Sequence, residues 1–472
     1  MAGRRRALYS SEDLAPLINP RSIAVIGASD RPGSLGARAM ANLADFRGRI
    51  FPVSQHLTEI NGLPCYRSIL DVPERVDCAV LAIPSQAIEV VVQDCADAGV
   101  GSCVIFASGY AEVGSEEGIA AQERLRSIAL RGGMLLAGPN TAGLGNLGTG
   151  AHCGFAEFPH GYAQRNGTIA LVSQSGAVGL GLSQAAMRGT SISHVLTSGN
   201  SVDVDVADYL NALADDPAVD GVALVFEGLV SAARLEQAAM AMARAGKPIA
   251  VTKLGSSPLG AAAACHHTAS VTGSPDDWTA LFRRCGMVEV QDMSRLVETA
   301  VFLAKFRAFR KPAAVPAVSI LSSSGGLGIL AADAADRHGV PTPQPGKTTV
   351  QRLKDILPSF GSPRNPCDAT ANATSNPESI LRCTEALLTD DQFDALVLLW
   401  GKAWRSPCFE GISELATNHG KPVCLVWMSQ WSDGPGSTDV EKLPYVSLFR
   451  SLDSCMSAIR AWGAPHSFDT GG

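Results

Sequence analysis

The chain has 472 residues, 46% of them hydrophobic, and a net charge of −7 with no block of like charge. That length suggests about three domains and ample core, and the charge argues against a nucleic-acid partner. Twelve cysteines are scattered singly, with no C-x-x-C pair and no Cys/His spacing suited to zinc, and no run of 18 apolar residues predicts a membrane span.

Residues 1–20 read as a basic tail and a lead-in helix; no apolar stretch follows MAGRRRALYS, so it is not a secretory signal. SIAVIGAS (22–29) reads as a buried strand that ends in Gly, Ala and Ser before a loop opening a helix. Further strands are predicted at 49–53, 77–83, 102–107 and 134–137, with helices over 85–98 and 115–131. This alternation predicts a doubly wound parallel sheet, whose ligand sits beyond the carboxyl ends of the strands. Those ends carry Gly27-Ala28-Ser29, Ile83-Pro84-Ser85, Ser108-Gly109 and Gly138-Pro139-Asn140-Thr141. Small and polar, they suit backbone approach to a phosphate-bearing nucleotide.

A second unit starts near Gly167. TIALVSQSGAVGLGLSQAA is strand, tight turn and helix, and Ser173-Gln174-Ser175-Gly176 falls at the helix start, where free N–H groups favour an anion. Strands at 192–197 and 222–226 end in Ser198-Gly199-Asn200 and Glu227, and a strand at 248–251 leads into TKLGSSPLGAAAACHHTASVTG (252–273). This last segment lacks an amphipathic period and reads as a long small-residue loop carrying His266 and His267. A nucleophilic imidazole on such a loop suits covalent transfer, and Glu227 is placed to fix its tautomer. A helix over 276–285 follows.

A charged segment at 305–311 reads as a boundary. The third unit opens with AVSILSSSGGLGILAADAADRHG, again strand, Gly-rich turn and helix, and continues with a Pro-rich loop at 357–370, strands at 395–399 and 423–427 and a helix at 452–462. Familiar nucleotide motifs fail their context. The G-x-G-x-x-G at 143–148 opens no helix. The Gly326-Leu327-Gly328 turn lacks an acidic ribose partner. Gly346-Lys347-Thr348 follows Pro341 where a P-loop needs Gly, and no G-x-S-x-G occurs. Nothing in the sequence suggests a bound metal.

In this order and spacing, SIAVIGAS-x4-GSLG, AVLAIPS, VIFASGYAEVG, GPNTAG, IALVSQSGAVG, SGN-x-VDVDVADYL, the HHTASVTGS segment, SSSGGLGILAADAA and NPCD resemble the NDP-forming acyl-CoA synthetases, relatives of succinyl-CoA synthetase that include the ADP-forming acetyl-CoA synthetases. The resemblance covers roughly residues 14–465 and is to the α-type portion of those enzymes. It implies an α/β fold with a Rossmann-like CoA-binding domain (1–148), a flavodoxin-like domain with the phosphohistidine segment (149–310) and a second flavodoxin-like domain (311–472). It implies a phosphorylated histidine at His267, held by Glu227, with phosphate at Ser173, Ser175 and Gly176. It also implies CoA over Gly27, Ser29, Pro84, Ser85, Ser108 and Asn140. His266 and Ala269 stand where the family usually has Ser and Gly.

The family binds its nucleotide on an ATP-grasp module, and no such stretch is seen here. The resemblance therefore implies a separate ATP-grasp β-type subunit carrying ATP and Mg2+, a cytoplasmic hetero-oligomer, and a small carboxylic acid as substrate. The product is acyl-CoA with ADP and phosphate. The alternative is a non-catalytic CoA-binding sensor or scaffold that keeps the fold, and a nicotinamide oxidoreductase rests only on the Rossmann pattern.

Overall fold

The computed structural model describes residues 6–229, 231–268, 274–309, 315–371 and 376–463; the side chains of 265–268 lie outside that description. Its framework is three sheets, each built by one rule on a parallel set of strands. The first contains β1 (Ser22–Ile26), β2 (Arg49–Val53), β3 (Cys78–Leu81), β4 (Ser102–Ile105) and β5 (Leu135–Ala137), in the spatial order β2-β1-β3-β4-β5. The second contains β6 (Gly143–Asn146), β7 (Ala151–Gly154), β8 (Ile169–Ser173), β9 (Ile192–Thr197), β10 (Gly221–Phe226), β11 (Ile249–Lys253) and β12 (Val288–Glu289). Its order is β12-β11-β10-β8-β9-β6-β7. The third contains β13 (Val318–Ser322), β14 (Cys367–Asp368), β15 (Ala395–Trp400), β16 (Val423–Trp427) and β17 (Val446–Phe449), in the order β14-β13-β15-β16-β17.

Strands such as SIAVI, IALVS, GVALVF and ALVLLW are buried along their whole length, because helices cover both faces of a parallel sheet. In every sheet the second strand of the parallel set lies on one side of the first and the third on the other. The chain therefore leaves the first strand in one direction and the third in the opposite one, and a crevice opens between the two turns. These crevices lie after β1 and β3, after β8 and β10, and after β13 and β15.

The structure departs from the sequence reading in three places. Gly143–Asn146 and Ala151–Gly154 form an antiparallel hairpin that extends the second sheet beside β9, a pairing that a Gly-rich strand conceals in sequence. The supposed loop after β11 contains a helix, Pro258–Thr268. Ser257 caps it, its Oγ accepting from Gly260 N at 3.0 Å. Alanine has the highest helix propensity of any residue, so AAAAC needs no amphipathic stripe to be helical. Lastly, the basic N-terminal stretch is anchored rather than free from Arg6 onward: its guanidinium bonds Asp208 at 2.7 Å and Asp203 at 3.2 Å.

Two compact units result. One comprises 1–164, 169–184 and 192–291 and holds the first two sheets; the other comprises 165–168, 185–191 and 292–472 and holds the third. In the first unit one apolar core runs from Leu14, Val25 and Val80 through Cys153 and Val172 to Leu224 and Phe282, and a second covers the other face of the first sheet through Ala24, Ala79, Ile88 and Leu125. In the second, Lys305 is fully buried rather than solvated, its Nζ donating to the carbonyls of Glu441, Leu443 and Val446 at 2.8–3.1 Å. Burial pulls that ammonium down to about 8, against the pull of Glu441. Among the described residues no helix is long and apolar enough to cross a membrane.

Candidate active site

The crevice of the second sheet is where the predicted residues meet. β8 ends at Ser173, whose buried hydroxyl donates to the Ser175 carbonyl at 2.7 Å and so shapes the turn instead of facing a ligand. Ser175 is the N-cap of the helix Gly176–Ser183. A Cβ on Gly176 would meet the Ala142 Cβ at 2.6 Å, so only glycine lets this helix start close against the neighbouring wall. Across the crevice, Glu227 directly follows β10. Gln174 joins the two sides: its Oε1 accepts from the backbone N–H of Glu227 at 2.8 Å and of Gly228 at 3.1 Å.

A cavity of about 260 Å3 lies here. Its polar lining comes from Gln174, Ser175, Glu227, Asn140 and Asn200, and its apolar lining from Phe106, Phe155 and Ala142. Asn140 sits in a left-handed backbone conformation (φ 57°) and its amide donates to Asn200 Oδ1 at 3.3 Å. Asn200 in turn donates to Gln122 Oε1 at 2.9 Å and to Glu112. Burial pushes the Glu112 carboxyl up, but hydrogen bonds from Asn200 and from the backbone of Gly109 and Tyr110 outweigh it and hold the group below its ordinary value. Beside Glu227, burial lowers Lys253 and the carboxylate partly restores it.

The helix Pro258–Thr268 packs against the short turn Ala111–Val113, which carries Glu112. His266 and His267 fall in its last turn, and their side chains, like all of Ala269, lie outside the described residues. The sequence reading thus found Ser175, Gly176, Glu227, Asn140 and Asn200 as strand-end residues. It missed Gln174 as the clamp and Phe106, Phe155, Glu112 and Lys253 as neighbours. The only signal for Gln174 was its place within SQSG.

The other predicted positions frame the first sheet's crevice. Gly27 and Ser29 follow β1, and the N–H of Gly27 donates to Val53 O at 3.0 Å. Pro84 and Ser85 follow β3 and start the helix Ser85–Asp97. Ser108 is exposed on the next turn, after β4, and the N–H of Asn140 reaches back to Ala107 O at 2.9 Å. In the other unit the crevice after β13 and β15 holds a cavity of about 260 Å3 lined by Ser323, Ser324, Leu327, Trp400 and Lys402.

Such a molecule is an α/β protein whose doubly wound sheets present turns and helix starts suited to anionic ligands. Residues 21–146 match the CoA binding domain family, and 166–303 match the succinyl-CoA ligase like flavodoxin domain. The chain is 30% identical over 436 residues to subunit alpha of the ADP-forming acetate–CoA ligase II of Pyrococcus furiosus, covering 90% of this chain and 92% of that one. It is 34% identical over 384 residues to the ADP-forming acetate–CoA ligase I of Archaeoglobus fulgidus, covering 81% of this chain but only 54% of that protein. It thus spans about half the length of the latter relative. Among solved structures, the dinucleotide forming acetyl-coenzyme A synthetase 1 of Ca. Korarchaeum cryptofilum, in complex with phosphate and ADP, superimposes with a TM-score of 0.79 at 27% identity, covering 95% of this chain and 96% of that one. The chain belongs to the NDP-forming acyl-CoA synthetase family, with a Rossmann-like CoA-binding domain and two flavodoxin-like domains.

Proposed function

We propose that this chain is the α-type subunit of an NDP-forming acid–CoA ligase. The observation that carries the reading is the convergence of the Gln174-Ser175 helix start and Glu227 on one cavity, with the histidine-bearing helix packed on the turn that holds Glu112. A ring nitrogen of His267 attacks the γ-phosphorus of ATP and ADP leaves. Glu227 holds the imidazole and stabilises the phosphorylated ring. An oxygen of the substrate carboxylate then attacks that phosphorus, the P–N bond breaks, and an acyl phosphate forms. The start of the helix Gly176–Ser183, with Ser175 and Gly176, holds its phosphate by backbone N–H groups and the helix dipole. Ser173 acts by shaping that turn. The CoA sulfur attacks the acyl carbon, phosphate leaves, and the thiol proton is lost to the medium.

CoA lies over Gly27, Ser29, Pro84 and Ser85, with Ser108 and Asn140 along the path to the cavity. The domains follow as 1–148, 149–310 and 311–472, with the strand Gly143–Asn146 paired forward into the second sheet. The nucleotide and its Mg2+ belong to an ATP-grasp β-type partner in a cytoplasmic hetero-oligomer; the subunit naming of the Pyrococcus furiosus relative supports a separate partner chain. The names of the relatives do not favour a non-catalytic sensor.

The test is phosphoenzyme formation in the complex purified with its partner. Radiolabelled ATP should give an acid-labile phosphohistidine that His267→Ala abolishes while CoA still binds. Label that persists in His267→Ala removes the histidine assignment.

A further inference from the structure

The cavity has a polar and an apolar side, and the apolar side is built from two different parts of the fold. Phe106 follows β4 of the first sheet, and Phe155 follows β7 of the hairpin in the second. Their rings meet edge to face, centroids 5.1 Å apart at 76°, an arrangement aromatic pairs prefer. Phe106 is buried, and Phe155 is half-buried and packed on the main core, so neither swings away freely. Among the described residues lining the cavity, Glu227 is the only one that ionises. Lys253, the cation near Glu227, is not in the lining, and its Nζ donates to the Leu254 carbonyl at 2.5 Å.

From this we infer that Phe106 and Phe155 determine acyl specificity, selecting a monocarboxylic acid with a short, uncharged tail. The inference rests on the ligase reading above. The reacting carboxylate goes to the helix start at Ser175 and Gly176. Its tail is left with the aromatic pair and Ala142, inside a cavity of about 260 Å3 that also has to hold the phosphoryl group. A bulky tail meets the Phe155 ring. A second carboxylate meets no cation among the described lining residues and stands beside Glu227, so it loses its hydration without a partner there.

The test compares kcat/KM for acetate, phenylacetate and succinate in the complex assembled with its nucleotide-binding partner. The wild-type enzyme should favour acetate over succinate by more than about a hundredfold, the scale expected when a charge is left unpaired in a site. Phe155→Ala should raise the ratio of phenylacetate to acetate by about tenfold or more, and Phe155→Leu by less, since opening a hydrophobic pocket by a few carbon atoms is worth roughly that much. Melting curves establish that each variant is folded; if Phe155→Ala is not, Phe155→Leu carries the comparison. Turnover with a phenylacetate to acetate ratio unchanged within twofold overturns the inference and leaves the ligase reading standing, as does a wild type that uses succinate as well as acetate. Turnover of no acid by the wild type, together with absence of phosphoenzyme, overturns the ligase reading and the inference with it.

Discussion

Replacing Gln174 by methionine isolates the clamp across the second crevice. Methionine nearly keeps the side-chain volume, so no sizeable cavity opens, but the carbonyl oxygen that accepts from Glu227 N at 2.8 Å and Gly228 N at 3.1 Å is lost. Gln174 and Glu227 are both buried, so two backbone donors lose their partner away from bulk water. Each such donor costs about 1–3 kcal/mol, which puts Gln174→Met at about 2–6 kcal/mol of destabilisation. In a unit of this size each kcal/mol lowers the melting temperature by about 2–4 °C, so a drop of at least about 4 °C is expected in thermal unfolding. The functional consequence is specific. Glu227 loses the tether that fixes it beside the helix start, so phosphoryl transfer measured by rapid quench should slow by about tenfold or more, the equivalent of roughly 1.4 kcal/mol. CoA affinity should hold, because the turns proposed to carry CoA lie on the first sheet. A melting temperature within 1 °C of wild type together with an unchanged transfer rate refutes the clamp.

Two further perturbations test other parts of the molecule. A Cβ on Gly36 would lie 1.9 Å from the Gly27 carbonyl oxygen and 3.2 Å from Ser29 N, so Gly36→Ala must displace the turn after β1; calorimetry should find CoA affinity reduced at least about tenfold, and unaltered affinity would remove that turn from the CoA site. In the second unit, burial lifts the Glu298 carboxyl from 4.5 to about 7, against bonds from Ser454 and Arg450. The folded state holds that proton more tightly than the unfolded chain, so its contribution to stability is complete below pH 4.5 and is lost as pH rises through 7. The loss is about 3 kcal/mol. Wild type should therefore lose stability relative to Glu298→Gln between pH 5 and pH 8, and parallel melting profiles would contradict the assignment.

Much of this architecture can be read without coordinates, because its strands are continuous apolar runs ended by Gly, Pro and Ser. Local composition alone therefore locates β1 to β5, β9, β16 and the turns that carry Gly27, Ser85, Ser175 and Glu227. Where local signals conflict or are silent, the reading fails. The helix Pro258–Thr268 has no amphipathic stripe, so its alanines read as a loop although their backbone propensity favours a helix. The hairpin Gly143–Asn146 with Ala151–Gly154 exists through pairing with β9, a partner some fifty residues away that no window of sequence contains.

The active site divides in the same way. The sequence by itself determined which residue types end each strand, since the conformational demands of a strand-to-helix turn are local. Tertiary structure alone decided which of those ends meet. Strand order places the turn after β8 beside the turn after β10, and only then does Gln174 find the N–H groups of Glu227 and Gly228. Phe106 and Phe155 likewise become one apolar wall only when the first sheet and the hairpin of the second share a core. Contacts between residues tens of positions apart are set by how sheets bury their faces against helices and one another, and that packing is a property of the whole chain.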